Sequence, residues 1–186
     1  MGQKDTYDEA LIVEQLHHQE TVNAAFGKVI EHYSQPLYWQ IRRMVIDHDD
    51  ANDVLQNTFI KAWSNIGSFR GDAKFSTWLY KIAVNESITF INKKKVQNNI
   101  SLDDDSSFLT SNLEADRYFD GEEAQLKFQK AIATLPDKQR LVFNMRYYDE
   151  MKYEDMSEIL GTSVGALKAS YHHAVKKIES FFGEED

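Results

Sequence analysis

The sequence predicts an all-α chain: two small helical domains joined by an acidic linker. Three observations carry that expectation. Apolar residues recur at three- and four-residue spacing through residues 8–95 and again from 122 to 182. Between them the period is lost: residues 96–124 are rich in Asn, Ser and Asp, with eight acids against one arginine for a net charge of -7. Only 2 prolines and 8 glycines fall in 186 residues, which leaves long stretches without helix breakers. The predicted boundaries are 8–95 for the first domain, 96–121 for the linker and 122–182 for the second domain.

Composition narrows the function classes. An apolar content of 42% permits real cores. With 0 cysteines there is no disulfide, thiolate metal site or cysteine nucleophile. The first 20 residues are polar and acidic, and no apolar run reaches signal-peptide or membrane-spanning length, which predicts a soluble cytoplasmic protein. The formal charge of -9 argues against nucleic acid only as a total. Residues 21–95 carry +3, residues 1–20 carry -4 and residues 125–186 carry -1, so the acid is concentrated in residues 96–124, between two nearly neutral or slightly basic halves.

Taken in order, Leu11, Ile12, Leu16, Val22, Ala25, Phe26, Val29, Ile30 and Tyr33 predict an amphipathic helix broken near Gln19. His17 and His18 are adjacent, so they do not face one metal site. Pro36 is expected to start a new helix, with Leu37, Ile41, Met44 and Val45 inward and Arg42 and Arg43 pointing elsewhere. In Asp47–Asp53 a turn leads into a helix, with Asp49 or Asp50 as its cap. Leu55, Phe59, Ala62 and Ile66, joined by Trp63, form its apolar stripe. A second face of Asp53, Gln56, Asn57, Ile60 and Ser64 is either solvated or partner-facing.

Gly67 and Gly71 bracket a loop, after which Ser76 or Thr77 is expected to cap a helix that is apolar on most sides over 77–92. Lys81 and Asn85 are its polar exceptions, four residues apart on one face, and Lys93, Lys94 and Lys95 end it, either matched to the helix dipole or facing a partner. Through this stretch aromatic and basic residues alternate at Phe69, Arg70, Lys74, Phe75, Trp78, Tyr80 and Lys81. Stacking surfaces beside cations suit unpaired nucleic acid.

In the second half, Leu126, Ile132 and Leu135 precede Pro136, which opens a helix with Leu141, Val142, Phe143 and Met145 in its core. A short helix over Tyr153–Leu160 is followed by Gly161 at a position suited to a helix C-terminus, and by Thr162 or Ser163 as the next cap. Val164, Leu167, Tyr171, Val175 and Ile178 line the last helix, which turns Lys168, Ser170, His172, His173, Lys176 and Lys177 outward. Helix, small turn and helix make the layout of a DNA-reading helix-turn-helix.

The segments DDANDVLQNTFIKAW, SFRGDAKFSTWLYKIAVN and LPDKQRLVFNMRYYDEMKYEDMSEILGTSVGALKASYHHAVKKIE, in this order, resemble a bacterial RNA polymerase sigma factor. They are similar to the extracytoplasmic-function group of the sigma-70 family. The resemblance covers about residues 20–95 and 122–180, and it implies a sigma region 2 bundle and a region 4 helix-turn-helix. It implies that Asp50, Ala51, Asp53, Val54, Gln56 and Phe59, with Ile60 on the same helix, dock on the largest subunit of core polymerase, with Phe59 and Trp63 as buried support. Phe69, Arg70, Lys74, Tyr80, Lys81 and Asn85 would bind the non-template strand of the −10 element and capture a flipped base.

The resemblance further implies that Ser163, Lys168, Ser170, His172, His173 and Lys176 face the −35 element, with this domain also seated on the flap of the second-largest subunit. The acidic linker would thread the RNA exit channel, and an anti-sigma factor would control the protein. Ala169, Ser170, His172 and His173 stand where many relatives carry Arg, so the recognition helix is less basic than usual. The alternative is a sigma-like adaptor that sequesters an anti-sigma factor without binding DNA; the retained Lys74, Lys81 and Lys93 to Lys95 count against it. A plain helix-turn-helix repressor leaves the first half unexplained. No acid–base spacing, metal-ligand spacing or phosphate-cradling glycine loop points to an enzyme, a metal or a cofactor.

Overall fold

The structure, a computed structural model, describes residues 7–97 and 123–183. The predicted linker over 96–121 lies outside the described residues apart from its first two. The fold is all-α, with no strand among the described residues.

Four helices build the first half: α1 (Glu9–Leu16), α2 (Val22–Val45), α3 (His48–Asn65) and α4 (Phe75–Gln97), with a short 3-10 turn at Ile66–Ser68. The Asp8 carboxylate caps α1 by accepting from the Ala10 and Leu11 amides at 3.0 and 3.2 Å. Tyr33 donates to Glu9 at 2.8 Å and ties α1 to α2. Val29, Leu37, Ile41, Val54, Ala62, Leu79 and Ala83 are fully buried where α2, α3 and α4 meet. Each large aliphatic side chain among them stabilises the bundle by about 1.5–3 kcal/mol.

Several local expectations give way here. Pro36 does not start a helix but lies inside α2. Tyr33, Leu37 and Ile41 continue one buried stripe past it while Pro36 itself is exposed, so packing outweighs the roughly 3 kcal/mol that an interior proline costs. The cap of α3 is Asp47, not Asp49 or Asp50; its carboxylate accepts from the Asp50 amide at 2.9 Å. Helix α4 begins at Phe75, ahead of Ser76 and Thr77, and Thr77 is buried. Arg42 and Arg43 do not point away into solvent: Arg42 is buried and Arg43 is half-buried. Trp63 is 41% exposed and packs only one edge on Phe26, at 5.0 Å between centroids, so it is not the buried support expected of it.

The second half contains α5 (Glu123–Ala133), α6 (Asp137–Tyr147), α7 (Tyr153–Leu160) and α8 (Val164–Gly183). Ile132, Leu135, Phe143, Ala174 and Ile178 form its own cluster, with Tyr171 stacked on Phe143 at 5.6 Å. Leu141, Val142, Met145, Met156, Ile159 and Leu167 join the core of the first half instead, so the two halves share apolar surface.

Gly161 ends α7 at φ 63, and its amide donates to the Ser157 carbonyl at 2.9 Å. A Cβ there would meet nothing within 4 Å. Gly161→Ala is therefore expected to cost only the backbone strain, about 1–2 kcal/mol, read as a shift in the urea midpoint with an unchanged slope.

Candidate functional site

Three surfaces carry the residues singled out in the sequence. On α3, burial of Ala51, Val54, Thr58, Phe59 and Ala62 turns the opposite face outward. Asp53, Gln56 and Ile60 are exposed there, Ile60 by 57%. Val54 and Phe59 are buried and act from behind as packing. A polar hollow of about 430 Å³ lies beside this stripe, between α3 and the end of α4, lined by Asp50, Asp53, Gln56, Asn57, Phe90, Lys93, Lys94 and Gln97. Lys94 is paired with Asp50, and Lys95 with Asp137 at 2.7 Å, so two of the three terminal lysines hold carboxylates of this chain.

The second surface is the loop before α4 and the first half of α4. Phe69 is buried, edge-on to Phe75 at 5.3 Å and tilted on Trp78 at 5.3 Å. Phe69 thus supports the loop from inside and does not face solvent. Gly71 turns the loop at φ 77. Arg70 and Lys74 are exposed on it. Lys74, Trp78, Lys81 and Asn85 recur at helical spacing along one side of α4, with Lys81 and Asn85 exposed and Trp78 half-buried. Trp78 belongs to this stripe although it was not among the expected contacts. Its signal was available: it lies four residues after Lys74 and three before Lys81.

Tyr80 falls on a different side of α4, toward the second half, and is half-buried. Burial raises its hydroxyl to about 12, with Asp149 adding to the effect and Arg43 opposing it. The structure therefore lines up Lys74, Lys81 and Asn85 on one side, leaves Arg70 exposed on the loop before it, and separates Tyr80 and Phe69 from them.

The third surface is the α7–turn–α8 hairpin. The Ser163 hydroxyl accepts from the Ala166 amide at 3.3 Å and starts α8. Lys168, His172 and Lys176, four residues apart, form an exposed stripe beside the exposed His173 and Ser163. Ser170 is half-buried, about 200° around the helix from Lys168, and does not share it. The Lys168 ammonium lies 5.7 Å from the Tyr153 ring centre, which Arg146 also approaches at 5.2 Å.

Sequence reasoning missed one feature altogether. Arg43 of α2 pairs with Asp149 in the loop after α6, 106 residues away, and sits 4.9 Å over the Tyr148 ring. The Asn144 amide donates to the Arg43 carbonyl at 3.4 Å. The second Asp149 oxygen and Arg43 Nε are buried without a hydrogen-bond partner in the protein. Burial pushes the Asp149 carboxyl up to about 6, outweighing the attraction and hydrogen bond of Arg43.

Because this folded value lies above the ordinary 3.8, Asp149 holds its proton more tightly in the folded chain. Its favourable contribution is complete below about pH 4 and is lost as pH rises through about 6. Urea unfolding between those values is expected to show that decline, and Asp149→Asn is expected to flatten it.

Residues 29–96 match the family description Sigma-70 region 2, and residues 125–178 match Sigma-70, region 4. The chain is 34% identical over 156 residues to the ECF RNA polymerase sigma factor SigW of Bacillus subtilis, covering 80% of this chain and 83% of that one. Its fold is similar to CnrH, solved in complex with the cytosolic domain of CnrY, with a TM-score of 0.69 at 19% identity over 96% of this chain and 99% of the other. It is also similar to the sigma factor RpoE, solved in complex with the anti-sigma factor NepR from Bartonella quintana, with a TM-score of 0.65 at 21% identity over 85% and 96% of the two chains. Among the described residues no helix is long and apolar enough to cross a membrane.

Proposed function

The chain belongs to the extracytoplasmic-function group of the sigma-70 family, and from that premise we propose how its three surfaces divide the work of promoter-specific initiation. The α3 stripe of Asp53, Gln56 and Ile60, bordered by Asp50, docks on the largest subunit of core polymerase. Ile60 supplies apolar area and the polar groups fix orientation, as at other protein interfaces. The α4 stripe with Arg70, Lys74, Lys81 and Asn85 takes the unpaired non-template strand of the −10 element, and Trp78 stiffens its base. Lifting a base from the stack costs a few kcal/mol, and stacking with cation contacts offsets it. The α8 stripe lies along the −35 element, and the second domain sits on the polymerase flap.

On this reading the protein works in the cytoplasm, supplies specificity rather than bond chemistry and needs no cofactor. An anti-sigma factor is its natural regulator, since both solved neighbours are bound to cytosolic or anti-sigma partners. The observation that supports the reading is that the Asp53, Gln56 and Ile60 stripe of α3 and the Lys74, Lys81 and Asn85 stripe of α4 lie on different helices and are both open to solvent. A sigma-like adaptor that never touches DNA would have no use for the second. Run-off transcription with core polymerase on fragmented genomic template tests it. Discrete products that depend on the protein are expected; their absence from every template would overturn the assignment.

A further inference from the structure

From Val164 to Ile178 the helix α8 carries no acid. Lys168, His172 and Lys176 follow one another at four-residue spacing, so the His172 ring lies about 6 Å along the axis from each lysine. His173 stands beside it, with the ring centres 6.1 Å apart, and both rings are exposed. Neither imidazole makes an ion pair or hydrogen bond with the described residues. Helices α5, α6 and α7 all pack against α8. Tyr171, the residue before the two histidines, shows which groups face this level of α8. Burial raises its hydroxyl, Tyr153 of α7 and Tyr147 of α6 add to the effect, and Arg146 of α6 opposes it. Of the α7 acids, Asp155 lies 3.5 Å from Lys74, and Glu154 and Glu158 pair with neither histidine. From α5, Lys127 reaches α8 at Phe182, beyond both rings. No carboxylate of the described residues meets a positive charge on either ring, which leaves that place to an anion from outside the chain.

We propose that α8 grips duplex DNA through a proton-coupled stripe: His172 and His173 become cations when DNA phosphates lie beside them, completing a row with Lys168 and Lys176. Histidine is the side chain whose charge changes between pH 5 and 8. A neighbouring anion favours the protonated ring, so the bound helix keeps protons that the free helix gives up, and association takes up protons from solution. The added affinity is present at the acidic end of that range and is lost as pH rises. Each phosphate neutralised in this way also adds about 0.9 to the log–log salt slope. The row therefore holds its two lysines at alkaline pH and gains up to two further cations at acidic pH. Arginine at the same positions would stay charged throughout and lack the dependence. This inference rests on the assignment of α8 to the −35 duplex.

Binding of the full chain to a fluorescein-labelled 30-base-pair duplex of mixed sequence is followed by anisotropy at fixed low salt. It is expected to tighten about fivefold or more from pH 8.0 to pH 6.0. Asp149 gains a proton over part of that range, so some tightening is expected to survive without the histidines. The variant carrying both His172→Gln and His173→Gln is expected to lose about threefold or more of it, with a salt slope that no longer steepens as pH falls. The variant carrying both His172→Arg and His173→Arg is expected to bind at pH 8.0 at least as tightly as the wild type at pH 6.0. Both side chains are exposed, and circular dichroism is expected to show wild-type helix content in each variant. Equal tightening in the wild type and the glutamine variant overturns the proposal, and so does a flat wild-type profile. Lys168→Ala tests the underlying assignment separately: weaker binding at every pH is expected, and unchanged affinity overturns the placement of α8 on DNA. If the chain binds the duplex at no pH, that placement fails and the proton coupling with it.

Discussion

Phe75→Ala is expected to lower the unfolding free energy by about 3–5 kcal/mol and to abolish promoter opening with it. Phe75 is 1% exposed and heads the largest fully buried side chains. Its ring touches three others: Phe69 at 5.3 Å, Trp78 at 5.4 Å and Tyr33 at 6.3 Å. It is also the first residue of α4, so the same ring anchors the bundle core and the exit of the loop that carries Arg70 and Lys74. A cavity there removes packing from all three partners, and the site collapses only partly because α2 and α4 are held apart by Leu37, Ile41 and Leu79. A domain of ordinary stability has about 5–15 kcal/mol in total, so the loss is a large share of it. Urea denaturation followed by tryptophan fluorescence checks the prediction, since Trp78 reports directly on the cluster. A shift below about 1 kcal/mol would mean that the loop and α4 are not built on this ring.

What was legible in the sequence was what burial writes at helical period. The stripes through Leu37 and Ile41, Phe59 and Ala62, and Leu79 and Val84 mark helical segments that fall within α2, α3 and α4, though Leu55 and Ile66, counted in the α3 stripe, are only half-buried and Val54 is the buried neighbour; the Tyr153–Leu160 helix with Gly161 behind it follows from apolar spacing and one glycine. Where local chemistry competes with burial, local chemistry misleads. Pro36 signals a start, yet it rides on the exposed side of a helix whose buried side runs on unbroken. Asp47, Asp49 and Asp50 are equally good caps in sequence. The choice falls to Asp47 because Ile46, at φ 68 and buried, ends α2 one residue earlier.

Of the candidate surfaces, spacing identified Asp53, Gln56 and Ile60 on α3 and Lys81 and Asn85 on α4. It did not separate Phe69 and Tyr80 from the exposed members, since an aromatic residue in a loop reads the same whether it faces in or out. The Arg43–Asp149 pair was beyond reach for another reason. Two charges 106 residues apart carry no local pattern, and only the packing of α6 and α7 on α2 and α4 brings them together.

Asn85→Ala and Gln56→Ala are expected to separate promoter opening from polymerase binding. Both side chains are exposed, on α4 and α3 respectively, so neither substitution is expected to change stability by more than about 0.5 kcal/mol. On the proposed assignment, Asn85 offers one amide donor pair and one carbonyl acceptor to the edge of a captured base. Its loss leaves that edge unpaired in a partly desolvated site, a cost of about 1–3 kcal/mol, or roughly 5- to 150-fold in open-complex formation at saturating polymerase. Gln56 lies between Asp53 and Ile60 on the stripe that Ala51, Val54 and Phe59 support from within. Its truncation is expected to weaken association with core polymerase by about 1 kcal/mol or more, with open-complex formation regained once the protein is in excess. Titration of each variant into core polymerase, scored once by binding and once by permanganate footprinting of the melted strand, distinguishes the two. Equal losses of core affinity would mean that α3 and α4 present a single surface to the polymerase. That outcome is hard to reconcile with Asn85 and Lys81 lying on a stripe of their own beside Lys74 and Trp78. The charge pattern adds an independent check: on the proposed assignment of Lys81 to the strand, Lys81→Ala is expected to reduce the salt dependence of strand binding by about 0.7 in log–log slope, whereas Gln56→Ala is expected to leave that slope unchanged.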